Sequence, residues 1–169
     1  TKPDVLNYFL KDTGARVAVV DADLAGLFAG QTLDGTSLQT VVVTNGAAAE
    51  APQIAAERFL APHGPDLACA DTGPDDMAFW MYSSGSTGRP KGIVHLHHDM
   101  AYVQASFGAN ILKLAPSDIA YSVPKMYFAY GFGNSIIFPF SVGATSLLVP
   151  GQPRPDMVLG AVEKFRPTV

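Results

Sequence analysis

Residues 82–92 have the sequence Tyr-Ser-Ser-Gly-Ser-Thr-Gly-Arg-Pro-Lys-Gly, which is the most informative stretch of the chain. Hydroxyl groups occupy four of the five positions after Tyr82. Gly85 and Gly88 carry no side chain, so backbone N–H groups there can turn toward an anion. Lys91 adds a positive charge near the end. Hydroxyls, accessible amides and a cation suit a polyphosphate, so the stretch predicts a phosphate-binding loop.

The spacing of this loop differs from G-x-x-x-x-G-K-[ST], the pattern of the common P-loop. Lys91 follows Gly88 by three positions, and Gly92 stands where that pattern has a hydroxyl residue. Apolar residues at 77–82 and 92–95 predict a strand on each side. The alternative is an ordinary Ser/Gly surface turn, but a hairpin needs only a few residues and does not need four hydroxyls.

Outside the loop, short apolar strands alternate with helices. Continuous β-branched runs at 16–20 and 40–44 predict buried strands. A helix precedes the first of them, with Asp4 as its predicted cap and Gly14 at its end. This alternation predicts an α/β fold with a mostly parallel sheet and flanking helices.

The remaining elements divide the chain into three segments. Residues 1–44 form a βαβ-like segment, 45–76 a connecting segment, and 77–169 the segment of the phosphate loop and the acid pocket. Further helices are predicted at 23–28, 53–60, 99–112, 133–140 and 155–165, and further strands at 118–123 and 144–149. The helix at 133–140 is expected to end at Pro139 and Gly143.

The composition is that of a globular protein of 169 residues, with 48% hydrophobic and 15% charged residues. The net charge is −4 and no Lys/Arg cluster is present, which argues against nucleic acid as a partner. No apolar run reaches the ~18 residues of a membrane span. The single cysteine, Cys69, fits a reducing compartment, so we expect a cytoplasmic protein without a membrane partner.

Residues 82–92 resemble the signature phosphate loop of the adenylate-forming superfamily, which includes acyl- and aryl-CoA synthetases, luciferases and peptide-synthetase adenylation domains. Residues 79–82 (Phe-Trp-Met-Tyr) and 125–134 (Lys-Met-Tyr-Phe-Ala-Tyr-Gly-Phe-Gly-Asn) resemble the benzoate-CoA ligase branch, as do 138–139 and 142–145. The resemblance covers nearly the whole chain and is strongest from Asp76 onward. It implies that the chain is part of the N-terminal domain of such an enzyme.

The resemblance also implies the site residues. The β- and γ-phosphates of ATP would be held by Ser83, Ser84, Gly85, Ser86, Thr87, Gly88 and Lys91, with Thr87 also a candidate contact for Mg²⁺. The acid pocket would be lined by Phe128, Ala129, Tyr130 and Gly131. A small Ala beside aromatic rings suits a flat aryl acid. From the residues alone, the alternative is that Tyr127, Phe128, Tyr130 and Phe132 belong to an ordinary core.

The implied activity is that of an AMP-forming acid–thiol ligase of aromatic degradation. It would adenylate benzoate or a substituted benzoate with ATP and Mg²⁺, and then transfer the acyl group to coenzyme A. The alternatives are another acyl-CoA synthetase or adenylation domain, or a non-catalytic nucleotide-binding fragment. A homodimer is kept as a candidate assembly.

Other motifs of the superfamily are missing from this sequence. They include a Glu that helps bind Mg²⁺, an Asp that binds the ribose, and a small C-terminal domain with the catalytic Lys. We therefore expect the chain to be a fragment of a longer protein, with its catalytic Lys in the C-terminal domain, and to be inactive alone.

Three histidines near the phosphate loop suggest a metal site, because His95 and His97 would share one face of a strand. No Cys or fourth ligand lies nearby, so loop histidines are the favoured interpretation of His95, His97 and His98. Cys69 has no neighbouring His and is not expected to be a nucleophile.

Overall fold

The computed structural model describes residues 2–83 and 88–169 and divides them into two compact units. The first unit ends at Ala70 and the second begins at Asp71. This division lies within the predicted connecting segment, residues 45–76. Nothing in the described ranges is a helix long and apolar enough to cross a bilayer.

The first unit contains a three-stranded parallel sheet in the order β1-β2-β3. Val17 pairs with Thr40 at one end of the β1–β2 register, and Val42 pairs with Ile54 between β2 and β3. Its elements are α1 (Pro3–Thr13), β1 (Val17–Asp21), α2 (Ala22–Ala25), a 3₁₀ turn (Gly30–Leu33), β2 (Thr40–Thr44), β3 (Gln53–Ala55) and α3 (Ala56–Leu60).

The core of the first unit forms around β2, the central strand. Val41 and Val43 are fully buried and pack with Leu10 of α1 and with Phe28. β1 is an edge strand, and Val19 on its outer face is 69% exposed. The prediction of a buried strand is therefore right for β2 and wrong for β1, because this unit covers only one face of β1.

Two local predictions in the first unit differ from the structure. The N-cap of α1 is Lys2 and Pro3 opens the helix, so Asp4 lies in the first turn, where its charge suits the helix dipole. Gly14 ends α1 as predicted, with a φ of 61°. The helix predicted at 53–60 begins only at Ala56, because the three residues before it pair with β2 as β3.

The second unit contains two separate pairs of strands, of which β4–β5 is antiparallel and β6–β7 is parallel. With the parallel sheet of the first unit, the chain has the α/β architecture that was predicted. The elements are β4 (Met77–Ser83), β5 (Lys91–Leu96), α4 (His97–Val103), a π-helix (Gln104–Leu112), β6 (Ile119–Tyr121), α5 (Ala129–Phe132), a second π-helix (Gly133–Ile137), α6 (Phe138–Val142), β7 (Thr145–Leu147) and α7 (Pro155–Phe165).

Two helices in the second unit are longer than predicted. Helical structure begins at His97 and continues through the π-helix to Leu112. Another helical run extends from Ala129 to Val142 and ends at Gly143, with a φ of 73°. Pro139 does not end this run. Pro139 lies in the first turn of α6, just after the hydrogen-bond pattern changes from π to α. Proline has no backbone N–H to donate, and the first turn of a helix tolerates this.

Candidate active site

The predicted phosphate loop connects two antiparallel strands. Tyr82 pairs with Gly92, and Ser83 pairs with Lys91 next to the loop. Strand, loop and strand therefore follow one another as the sequence predicts, and the loop exits into β5 rather than into a helix. The predicted phosphate contacts of Ser84, Gly85, Ser86 and Thr87, and the predicted Mg²⁺ contact of Thr87, lie outside the described residues.

The described end of the loop has two features that suit an anion. Gly88 has a φ of 91°, a conformation that a residue with a side chain rarely adopts. Lys91 is exposed at the first position of β5, and its ammonium forms no ion pair with any residue in the described ranges. Lys91 can therefore neutralise an added phosphate without breaking an existing pair.

Side chains alternate between the two faces of the hairpin, because successive residues of a strand point to opposite sides. Phe79 pairs with His95 across the strands, and their rings stack with centroids 4.9 Å apart. Phe79 also meets Phe132 of α5 edge-on, at 5.0 Å. This face of the hairpin thus packs against the helix that carries the second motif.

A cavity of about 470 Å³ lies between this face of the hairpin and the helices. That volume is within the range of small-molecule sites. Its apolar lining includes Phe79, Met81, Met100, Val103, Phe107, Ala129, Phe132, Ile137 and Phe138, and its polar or amphipathic lining includes His95, Asp99, Tyr102, Tyr130 and Asn134. The cavity is therefore apolar with a few polar groups, as a site for an aryl ring requires.

The four predicted acid-pocket residues have different positions relative to this cavity. Ala129 and Tyr130 line it. Phe128 is the exposed N-cap of α5 and, with Gly131, is not part of the lining. Gly131 is buried against the backbone of Lys125, where a Cβ would overlap the carbonyl oxygen.

The alternative that the aromatic residues of this motif form an ordinary core is wrong for three of them. Tyr127, Phe128 and Tyr130 are all largely exposed in the structure, and only Phe132 is partly buried. Lys125, the first residue of the motif, donates from Nζ to the carbonyl oxygen of Val149 at 2.6 Å. That bond ties the start of the motif to the segment after β7.

One carboxylate organises the polar side of the cavity. Oδ2 of Asp99 accepts from the backbone N–H of Leu96 at 3.1 Å and contacts Nδ1 of His95 at 3.2 Å. Oδ1 of Asp99 lies 3.2 Å from Nε2 of His98. The hydrogen bond from the N–H of Leu96 is the main cause that holds the pKa of Asp99 below its ordinary value. The interactions with His95 and His98 lower this pKa further.

The histidines do not lie in a loop, so that interpretation is wrong. His95 belongs to β5, while His97 and His98 are the first residues of α4. Within the described residues, no group of three or more His, Cys, Asp or Glu side chains could hold a metal ion. The signal that the sequence interpretation missed is the four-residue spacing of His95 and Asp99 across a strand–helix junction.

The strands on either side of the predicted phosphate loop agree with the prediction from the sequence. The whole chain, residues 1–169, matches the family of AMP-binding enzymes. This chain belongs to that family. Among relatives of this AMP-binding chain, a benzoate–CoA ligase of Thauera aromatica is 41% identical over 162 residues, which are 96% of this chain and 30% of the relative.

Other relatives have similar names and similar coverage. A 4-hydroxybenzoate–CoA/benzoate–CoA ligase of Rhodopseudomonas palustris is 34% identical over 98% of this chain and 30% of its own length. Among solved structures, an anthranilate CoA ligase in complex with anthranoyl-AMP superposes with a TM-score of 0.89 at 33% identity, covering 99% of this chain and 32% of that one. The AMP-binding chain thus spans about a third of the length of these relatives.

Proposed function

We propose that this AMP-binding chain is part of an ATP-dependent aryl-CoA ligase that adenylates benzoate or a substituted benzoate and transfers the acyl group to coenzyme A. The observation that carries the proposal is that one hairpin both borders the apolar cavity and carries the predicted phosphate loop. Phe79 and Met81 of β4 line the apolar cavity, and the strand then enters the phosphate loop at Ser83. Two residues of a strand span about 7 Å, so a ring against Met81 would place its carboxylate near the loop.

The first half-reaction joins two anions. A carboxylate oxygen attacks the α-phosphorus of ATP, the bond to the bridging oxygen breaks, and pyrophosphate leaves. Catalysis of this step depends on placement and on neutralising negative charge. In this proposal Lys91 and the loop hold the β- and γ-phosphates, while Ala129 and Tyr130 hold the aryl ring. Mg²⁺ would accompany ATP and offset its charge.

The second half-reaction moves the acyl group to sulfur. The thiol of coenzyme A attacks the acyl carbon as a thiolate, and AMP leaves. We propose that the adenylation step needs the catalytic lysine of a C-terminal domain, as the resemblance implies. The 169 residues alone are then expected to show no ATP–pyrophosphate exchange with benzoate, and measurable turnover by them would contradict this.

The full-length protein provides the test of the phosphate loop. ATP–pyrophosphate exchange is measured with benzoate for the wild type and for Lys91→Ala. Removing one charge-assisted contact costs about 1.5–3 kcal/mol, so we expect kcat/KM to fall by about 10- to 150-fold. Lys91→Arg, which keeps the charge, should retain more activity than Lys91→Ala.

A matched control removes a lysine of α7 instead. Lys164→Ala takes away one positive charge in the same unit, outside the candidate site, and should leave exchange unchanged. Equal activity of Lys91→Ala and the wild type would show that the loop is an ordinary turn. Exchange with aliphatic acids but not with aryl acids would refute the substrate class and leave the adenylation chemistry intact.

A further inference from the structure

The wall of the apolar cavity contains one ordered polar pair, His95 and Asp99. Both side chains line the cavity, and they are 34% and 37% exposed. The imidazole is held from two directions, because its ring stacks on Phe79 and its Nδ1 lies 3.2 Å from Oδ2 of Asp99. A side chain fixed in this way presents its remaining nitrogen in a defined direction.

The carboxylate determines which nitrogen of His95 carries the proton. An ionised carboxylate only accepts hydrogen bonds, so Nδ1 of His95 must donate to Asp99. In a neutral imidazole Nε2 is then an acceptor. Nothing in residues 2–83 or 88–169 hydrogen-bonds to this Nε2, whereas both oxygens of Asp99 are already engaged. The acceptor left for a ligand is therefore Nε2 of His95.

A second polar side chain lines the same cavity. Asn134 is half-buried one turn after Tyr130, and its amide has no hydrogen-bond partner among the residues that the structure describes. An imidazole acceptor and an uncommitted amide in an apolar cavity would be poorly satisfied by an unsubstituted ring. They suit a ring that carries its own hydrogen-bond donor.

We propose that His95, positioned by Asp99, is a specificity-determining residue that accepts a hydrogen bond from a ring hydroxyl or amino group of the aryl acid. This rests on the proposed function and deepens it, because it makes hydroxy- or aminobenzoates the preferred substrate class. Asp99 acts through His95 and is a positioning residue.

The experiment compares substrates within each variant of the full-length protein. ATP–pyrophosphate exchange gives kcat/KM for benzoate and for the ortho, meta and para isomers of hydroxy- and aminobenzoate. The readout is the ratio of each substituted acid to benzoate, which does not depend on the fraction of folded enzyme. His95→Phe keeps the stack on Phe79 and removes the acceptor, and His95→Gln restores an acceptor.

For at least one isomer we expect the ratio to fall by about 3- to 10-fold in His95→Phe, the cost of one neutral hydrogen bond, and to recover in part in His95→Gln. Asp99→Asn should lower the same ratio, because an amide no longer fixes the tautomer. His97→Phe is the matched control, since His97 is exposed and outside the cavity lining, and it should change no ratio.

Two results separate this inference from the proposed function. Normal exchange with benzoate and unchanged ratios for every isomer in His95→Phe would overturn the role of His95 alone. An equal loss for benzoate and all substituted acids would also overturn it, since a purely structural residue behaves that way. A wild-type protein that activates no aryl acid would overturn the proposed function and this inference together.

Discussion

Gly131→Ala should destabilise the second unit although it adds only one methyl group. A Cβ at Gly131 would overlap the carbonyl oxygen of Lys125 and would approach that of Pro124 to 2.5 Å. The Lys125 carbonyl also accepts from the N–H of Phe128 at 3.0 Å, which shapes the start of α5. The atoms in the way belong to the backbone, so no side-chain rotation can relieve the contact.

The expected magnitude combines two opposing effects. Overpacking of this kind typically costs 1–3 kcal/mol, and a backbone obstacle places this case near about 3. Replacing Gly by Ala within a helix raises the free energy of unfolding by about 1 kcal/mol. The net loss in the free energy of unfolding is then about 2 kcal/mol. Gly160→Ala in α7 is the matched control, because nothing lies within 4 Å of its Cβ, and it should gain about 1 kcal/mol.

Trp80 provides the assay, since it is the sole tryptophan and lies on β4 in the same unit as both glycines. Urea unfolding followed by its fluorescence, with a slope of about 2 kcal/mol/M, should place the midpoint of Gly131→Ala about 1 M below the wild type. Gly160→Ala should lie about 0.5 M above the wild type. A Gly131→Ala midpoint at or above that of the wild type would refute the close contact.

Two further predictions concern other parts of the chain. Val43 is 0% exposed, so Val43→Ala should destabilise the first unit by about 2 kcal/mol and speed the hydrogen exchange of β2 amides. Val19 is 69% exposed, so Val19→Ala is the control and should change the exchange rates little. Hydrogen bonds from the N–H of Ala115 and then from the hydroxyl of Thr168 hold the pKa of Asp118 below its ordinary value of 3.8. The ionised carboxylate therefore stabilises the fold above pH 3.8, and this stabilisation is lost as the pH falls below that value. Asp118→Asn should therefore flatten the acid side of the stability–pH curve measured by Trp80 fluorescence, and an unchanged curve would contradict this.

The strands and helix ends that the sequence predicts well are those determined locally. The run of valines in β2 and the glycines at 14 and 143 need no information from the rest of the chain. β3 could not be predicted in this way, because it has three residues and exists through its pairing with β2. The prediction that the helix ends at Pro139 was wrong, because the helix continues through this residue. The continuation depends on the π-helix before Pro139, and a single sequence shows no sign of a π-helix.

The candidate site shows the same limit. The resemblance predicted Ala129 and Tyr130, which line the cavity, but sequence position alone did not separate them from Phe128 and Gly131, which do not. The facing wall comes from β4, β5 and α4, and only the folded hairpin brings it opposite α5. The roles predicted for the four pocket residues, and for the phosphate loop, stay predictions.

The first π-helix has a consequence for insertions and deletions. From Gln104 to Leu112 the backbone bonds reach five residues back, as in the 2.8 Å bond from the N–H of Lys113 to the carbonyl of Gly108. Removing one residue here would let the helix revert to the four-residue pattern, because the wide π turn absorbs the lost residue and the residues after it keep nearly their direction. The same deletion in a regular α-helix would rotate everything after it by about 100°. This segment is therefore expected to tolerate the loss of one residue better than α4 does.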